Sequence, residues 1–396
     1  MTRRSTWRRP CPSLAVWLGL YGSLLLMIGG VWDIAWHHTR GRDSFWSPPH
    51  LLLYSGVGVM GLVALAMVVR TMRGRRAGLE ADPLLVALWG LRAPRGFALV
   101  GAGALGAVLS APFDEAWHRL FGIDVTVWSP PHLFAIAAAG AMRLGLLVAL
   151  VDEMTRAGQK IPPQRLRLSW RGVTLAEGVL LMLFSILLGN LLFALGAHEI
   201  RAVSRPPGLY PLLASLAVPV VLVAGVRTLG RLGAATMIVL LLLGFQALLR
   251  AGLRAADFVL PAPWPLWPLY VGPAAVVDGW GWLVRRRPQA VWHDAVAGLL
   301  FAAGFVGMVS GETGSHSGVF WSIDVLMLTT LLAGTIGAVS GWAGFHLHQR
   351  LLTPGLSAGW RGHQEPTSMA PWPRRTGLHG VDQGLDDQQR CERCQP

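Results

Sequence analysis

The sequence predicts an all-α fold, a polytopic membrane bundle of about ten transmembrane helices arranged as repeated helix-loop-helix hairpins, and three observations lead there. Of the 396 residues, 53% are hydrophobic and only 14% charged, a balance shifted from soluble averages toward membrane proteins. Apolar stretches of roughly the 20 residues that a bilayer core requires recur along most of the chain. Between them the basic residues collect in alternate connections, as they do where loops face the cytoplasm.

In order, the apolar windows cover 13–36, 49–70, 94–117, 131–152, 173–197, 207–226, 231–254, 266–284, 290–309 and 320–345. The first runs past the length of a signal-peptide core into Asp33, His37 and His38 with no small-residue cleavage site, so it reads as a retained helix. Arg3, Arg4, Arg8 and Arg9 precede it, and Arg70, Arg73, Arg75 and Arg76 follow the second window. Arg156, Lys160, Arg165, Arg167 and Arg171 follow the fourth, Arg227 and Arg231 the sixth, and Arg285, Arg286 and Arg287 the eighth. This alternation implies a multi-pass inner-membrane protein with both termini cytoplasmic and with the loops after odd-numbered helices facing outward.

It also accounts for the net charge of +13 without nucleic acid, since topology spaces the arginines and no phosphate-binding face gathers them. The implied partner is the lipid bilayer. Cys11, Cys391 and Cys394 all lie in terminal segments, so helix packing rather than a disulfide framework must hold the fold.

The connections after odd-numbered helices carry a repeat. "WDIAWHHTRGRDSFWSPPHLL" and "FDEAWHRLFGIDVTVWSPPHLF" are two copies of one hairpin of about 80 residues. Fainter versions follow: "GAHEIRAVSRPPGLYPL" keeps the diproline, "AADFVLPAPWPLWPLY" keeps an acid, prolines and tryptophans, and "SGETGSHSGVFWSID" keeps Glu312, His316 and Asp324. The chain therefore divides into a basic N-terminus (1–12), two full hairpins (13–152), three degenerate hairpins (153–350) and a polar cytoplasmic tail (351–396) of disordered composition. The tail ends in "CERC"; with no second cysteine pair, and His379 its one nearby imidazole, a solvated tail is the better reading than a metal site.

Asp33 and His37 are four apart near the end of the first helix, which puts both on one face. "WSPPH" then fixes the return: Ser47 is placed to cap the second helix, Pro48 and Pro49 fill first-turn positions that need no donor, and His50 lands about one turn in. In the second copy the same places fall to Asp114, His118 and His132, after Ser129, Pro130 and Pro131. Two imidazoles and a carboxylate at each hairpin mouth make a three-ligand site with open positions, suited to copper, zinc or ferrous iron. Such groups can also simply bond one another at the interface; their recurrence as complete sets, in a setting where ionisable groups are costly, favours metal.

Trp32, Trp36, Trp46, Trp117 and Trp128 read first as an interfacial aromatic belt and second as site walls. His38 points about 100° away from His37 and is left out of the site. Glu312, His316 and Asp324 are candidates for a third set, and Arg143, inside the fourth helix, is expected to pair with an acid.

The spacing Asp-x3-His-x12-His, met by Asp33, His37 and His50, resembles the membrane copper site in the C subunit of particulate methane monooxygenase and its ammonia monooxygenase relatives. A second site of that family has Asn-x3-His-x13-His, whose histidine spacing His118 and His132 match, with Asp114 standing in the Asn position. The resemblance covers about residues 25–145. It implies copper as the metal, oxygen-dependent hydroxylation of a small apolar substrate at the membrane, and work beside further monooxygenase subunits or as a homo-oligomer. Nothing in this chain resembles the soluble cupredoxin domains of the family's B subunit. Two alternatives stand beside it: a copper-binding or copper-handling protein without turnover, and a haem-binding electron carrier. The carboxylates and the tight hairpin spacing speak against haem, which needs imidazoles on opposite sides of a wide macrocycle.

Overall fold

The computed structural model describes residues 12–41, 44–73, 84–88, 91–122, 128–158, 167, 170–195, 208–259, 267–285, 290–317 and 320–353, the side chains of 88, 267, 268 and 312–317 excepted. The expectations for the tail, including Cys391, Cys394 and His379, and for Cys11 lie outside these residues.

Ten helices are present among the described residues: α1 (Leu14–Arg40), α2 (Pro48–Arg73), α3 (Arg95–Phe121), α4 (Pro130–Arg156), α5 (Leu175–Ala194), α6 (Leu209–Leu229), α7 (Ala234–Ala255), α8 (Trp267–Val284), α9 (Val291–Ser317) and α10 (Ile323–Leu352). Each covers one predicted window, and nine of them are long and apolar enough to cross a membrane; α8, with Pro273 inside its 18 residues, is the tenth helix. A short antiparallel pair that was not foreseen, β1 (Leu85–Leu88) and β2 (Leu91–Pro94), in register Leu85↔Pro94, leads into α3. Its apolar residues are too few to span a bilayer and too short for a helical period to show.

Within the two hairpins the helices run antiparallel, Gly22 and Gly29 of α1 meeting Met60 and Leu53 of α2, and Gly96 and Gly103 of α3 meeting Ala149 and Met142 of α4. Ser23 on α1 meets Arg143 on α4, and Ser185 and Gly189 on α5 meet Ile238 and Leu242 on α7. α5 is apolar over most of its surface, apart from the buried Glu177, Ser185 and Asn190, and its Leu180, Leu183, Phe184 and Leu188 are fully buried, as befits a helix enclosed by neighbours.

Close backbone approach at small residues holds the hairpins, the usual device where lipid offers no hydrophobic drive. A Cβ on Gly22 would meet Met60 Cγ at 2.7 Å and Gly56 O at 3.0 Å; one on Gly103 would meet Met142 Cγ and Ala138 O, each at 2.7 Å. Gly22 and Gly103 stand 81 positions apart, and Met60 and Met142 stand 82 apart, the same offsets as Asp33 to Asp114 and His50 to His132. The duplication read from the polar motifs is thus also a duplication of packing. Gly298, Gly337 and Gly341 join α9 to α10 in the same manner.

The two ends of the bundle differ in chemistry. At the end opposite the hairpin motifs, Arg95 Nη2 pairs with Asp152 Oδ1 at 2.7 Å, Arg231 Nη2 with Glu177 Oε2 at 3.0 Å and Arg227 Nη2 with Asp294 Oδ2 at 2.6 Å. Arg95 also donates to the carbonyls of Arg350, Leu351 and Thr353, and Ser13 donates to Glu153. Both the start of α1 and the end of α10 are thereby tied to the last turn of α4, at one and the same end.

Arg143 corrects an expectation. Its Nε donates to Ser23 Oγ at 3.3 Å and its Nη1 to Asn190 Oδ1; among the described residues no acid pairs with it. The acids of α4 and α5 stand at the helix ends, where Arg95, Ser13 and Arg231 take them.

Candidate metal centre

Local chemistry places each ligand. α1 and α3 end at glycines in positive φ, Gly41 at +79° and Gly122 at +84°, conformations that favour glycine. α2 and α4 start at diprolines, with the carbonyls of Ser47 and Ser129 accepting the first helical bonds from Leu51 and Leu133, each at 3.0 Å. Ser129 holds the N-cap position but its hydroxyl makes no cap bond. Two prolines follow it, so the backbone donor that a capping serine would meet at the second helical position is missing. The stiffness at this entry comes from the prolines.

In the first mouth, Asp33 Oδ2 lies 3.7 Å from His37 Nε2 and its Oδ1 lies 3.3 Å from His50 Nε2. The second mouth repeats this atom for atom: Asp114 Oδ2 is 3.3 Å from His118 Nε2, and its Oδ1 is 3.4 Å from His132 Nε2. In each copy one carboxylate bridges an imidazole on its own helix and another from the next. The second group is the tighter. Asp114, His118 and His132 can offer ligand atoms all within 4.8 Å of one another, the one such cluster of three among the described residues. All six side chains are 22–34% exposed, so both mouths open to the surface.

Two of the ring nitrogens that face away bond to backbone carbonyls. His50 Nδ1 lies 3.0 Å from Ser44 O and His118 Nδ1 lies 3.2 Å from Gly122 O. A carbonyl only accepts, so in the neutral ring the hydrogen sits on Nδ1 and the Nε2 lone pair faces the carboxylate. Asp33 Oδ1 and Asp114 Oδ1 are buried and accept no hydrogen bond. Two acceptors facing each other at 3.3 Å repel unless a cation lies between them, either a proton on the ring or a metal ion.

The spacing suits a metal: bonds of about 2.0–2.1 Å put the ligand atoms of a tetrahedral ion about 3.4 Å apart. Imidazoles that bind metal ordinarily donate their other N–H to a carbonyl or carboxylate, which fixes tautomer and ring plane. Ser44 and Gly122 supply that partner here. Sequence reasoning missed both, because the group at work is a backbone carbonyl. Gly122 had a signal as a helix-ending glycine; Ser44 had none. The counterpart of Ser44 in the second copy, Thr126, lies outside the described residues.

The tryptophans divide. Trp32 and Trp36 pack edge and face on Phe258, from the segment after α7, with centroids 5.9 and 5.8 Å away, and form a wall beside the first mouth. Trp117 packs on Phe121 at 4.3 Å, Trp46 is exposed against Phe45, and Trp128 packs on the core. Phe258 was not foreseen, since only the tertiary fold brings it to α1. Of the third candidate set, Asp324 is exposed in the first turn of α10, and the side chains of Glu312 and His316 lie outside those described.

Fold and mouths together define an integral membrane helical protein carrying an Asp/His/His group able to hold a metal ion. No protein-family model, no curated protein and no solved structure matches the chain.

Proposed function

We propose that this protein is a copper-binding integral membrane protein, with Asp33, His37 and His50 the ligands of one ion and Asp114, His118 and His132 those of the other. The observation that carries the reading is the duplicated geometry in which one carboxylate faces two imidazole Nε2 atoms at 3.3–3.7 Å while its buried Oδ1 accepts no hydrogen bond, with one imidazole in each mouth held through Nδ1 by a backbone carbonyl. Borderline nitrogen ligands with one oxygen suit copper, zinc and ferrous iron alike; the spacing shared with copper membrane monooxygenases is what selects copper. The alternating arginines support a cytoplasmic location for both termini in an inner membrane, and so an outward-facing position for the two mouths.

By the same resemblance the chain would act as the C-type component of an oxygen-dependent monooxygenase, in company with other subunits. Bound copper would supply the redox chemistry with dioxygen. The residues of this chain hold and orient: the carboxylate lowers the charge of the site, the backbone carbonyls fix the imidazole planes, and Trp32, Trp36 and Phe258 form an apolar wall through which a substrate dissolved in the bilayer could approach the first mouth.

Metal analysis of the purified full-length protein tests the reading against the His50→Ala/His132→Ala variant. Copper above the variant's level is the expected result. Zinc or iron in its place would remove copper and the monooxygenase extension, while equal metal in both proteins would remove the metal sites altogether.

A further inference from the structure

Ser23, Arg143 and Asn190 come from α1, α4 and α5 and meet inside the bundle at 0%, 4% and 8% exposure. Arg143 is the middle residue of α4, thirteen from either end, so its Cα lies about 20 Å along the helix axis from each. Ionisable groups at such depth are costly, and where they occur they pair with an opposite charge or serve a ligand. Arg143 has no carboxylate partner among the described residues; its bonds go to a hydroxyl and an amide oxygen. A whole positive charge is left without an opposite.

The remaining hydrogen-bonding capacity is mostly donor. A guanidinium carries five N–H groups, of which those two bonds use two. Ser23 accepts from Arg143, and its own hydroxyl hydrogen goes to no described residue. One N–H of Asn190 Nδ2 donates to Ile136 O at 3.3 Å, which turns Oδ1 toward the guanidinium and leaves the second N–H uncommitted. Gly140 gives the amide its place, since a Cβ there would come within 3.0 Å of Nδ2. The cluster therefore presents an excess of donors on a charge of +1, three guanidinium N–H groups, a hydroxyl and an amide N–H against one remaining lone pair each on Ser23 Oγ and Asn190 Oδ1; the fully buried Leu146 and Leu147 follow one turn further along α4. A neutral ligand would leave the charge uncompensated, and a dianion would reverse it.

We propose that Arg143, Ser23 and Asn190 form an interior site for a small singly charged anion, a halide or a carboxylate. This assignment is independent of the metal reading, because none of the three residues belongs to either Asp/His/His group.

Equilibrium dialysis of the full-length protein in detergent tests it, with radiolabelled chloride in one arm and radiolabelled formate in the other, against a gluconate background. Saturable uptake of one equivalent in at least one arm is expected, and the arm identifies the anion type. Arg143→Gln should abolish that uptake, and Ser23→Ala, which keeps the charge and removes one donor, should weaken it several-fold. Both variants should keep the wild type's elution profile in size-exclusion chromatography, which reports that they fold. If Arg143→Gln fails to fold, the Ser23→Ala affinity decides. No saturable uptake in either arm, or uptake unchanged in Ser23→Ala and in any folded Arg143→Gln, overturns the proposal.

Discussion

Gly122→Ala should weaken metal binding at the second mouth although it removes no ligand. Gly122 sits at φ +84°, ψ 177°, a region essentially reserved for glycine, where another residue costs about 1–3 kcal/mol. A Cβ there meets nothing within 4 Å, so the cost is purely conformational and the chain relieves it by rotating the peptide. That rotation withdraws the carbonyl lying 3.2 Å from His118 Nδ1, and the imidazole loses the bond that fixes its tautomer and plane. Losing such a partner lowers metal affinity by about 10- to 100-fold, or about 1.4–2.7 kcal/mol. The assay is a competitive copper titration against a chromogenic chelator in an Asp33→Ala/His50→Ala background, which silences the first mouth. Gly158→Ala is the control: φ is +76° with equally open surroundings, but at the far end of α4. Affinity within about twofold of the parent, or an equal loss in the control, would refute the argument that the backbone carbonyl orients the ligand.

Three further outcomes follow from the same structure. Gly103→Leu would drive a side chain into Ala138 O and Met142, and should cost about 1–3 kcal/mol or more in denaturant titration, whereas Gly58→Ala, with nothing within 4 Å, should cost nothing. Arg227→Met leaves Asp294, 8% exposed, without its bidentate partner; a loss of about 3–5 kcal/mol is expected, largely recovered in Arg227→Met/Asp294→Leu. Protons compete with metal for the imidazole lone pairs, so bound metal should fall on acidification; retention unchanged down to pH 4 would argue against histidine ligands.

The helices were legible because nine of the ten described carry an apolar stretch long enough to cross a bilayer, a local property. The two Asp/His/His groups were legible for a similar reason: a spacing of four joins two ligands on one helix, and a diproline entry fixes the third. What escaped depends on contacts distant in sequence. The partners of Arg143 stand 120 and 47 positions away, Phe258 reaches α1 from beyond α7, and the carbonyls of Ser44 and Gly122 carry no side-chain signature. No acid among the described residues stands beside Arg143 because those of α4 and α5 lie at the helix ends, taken by Arg95, Ser13 and Arg231.

Metal stoichiometry, determined hairpin by hairpin, tests the central claim most directly. Wild-type protein reconstituted with copper should hold two equivalents resistant to desalting, and Asp33→Ala/His50→Ala and Asp114→Ala/His132→Ala should each hold one. The combined fourfold variant, folded by the same denaturation criteria, should hold none. Full copper content in the fourfold variant, or none in the wild type, would contradict the assignment of these six residues as metal ligands.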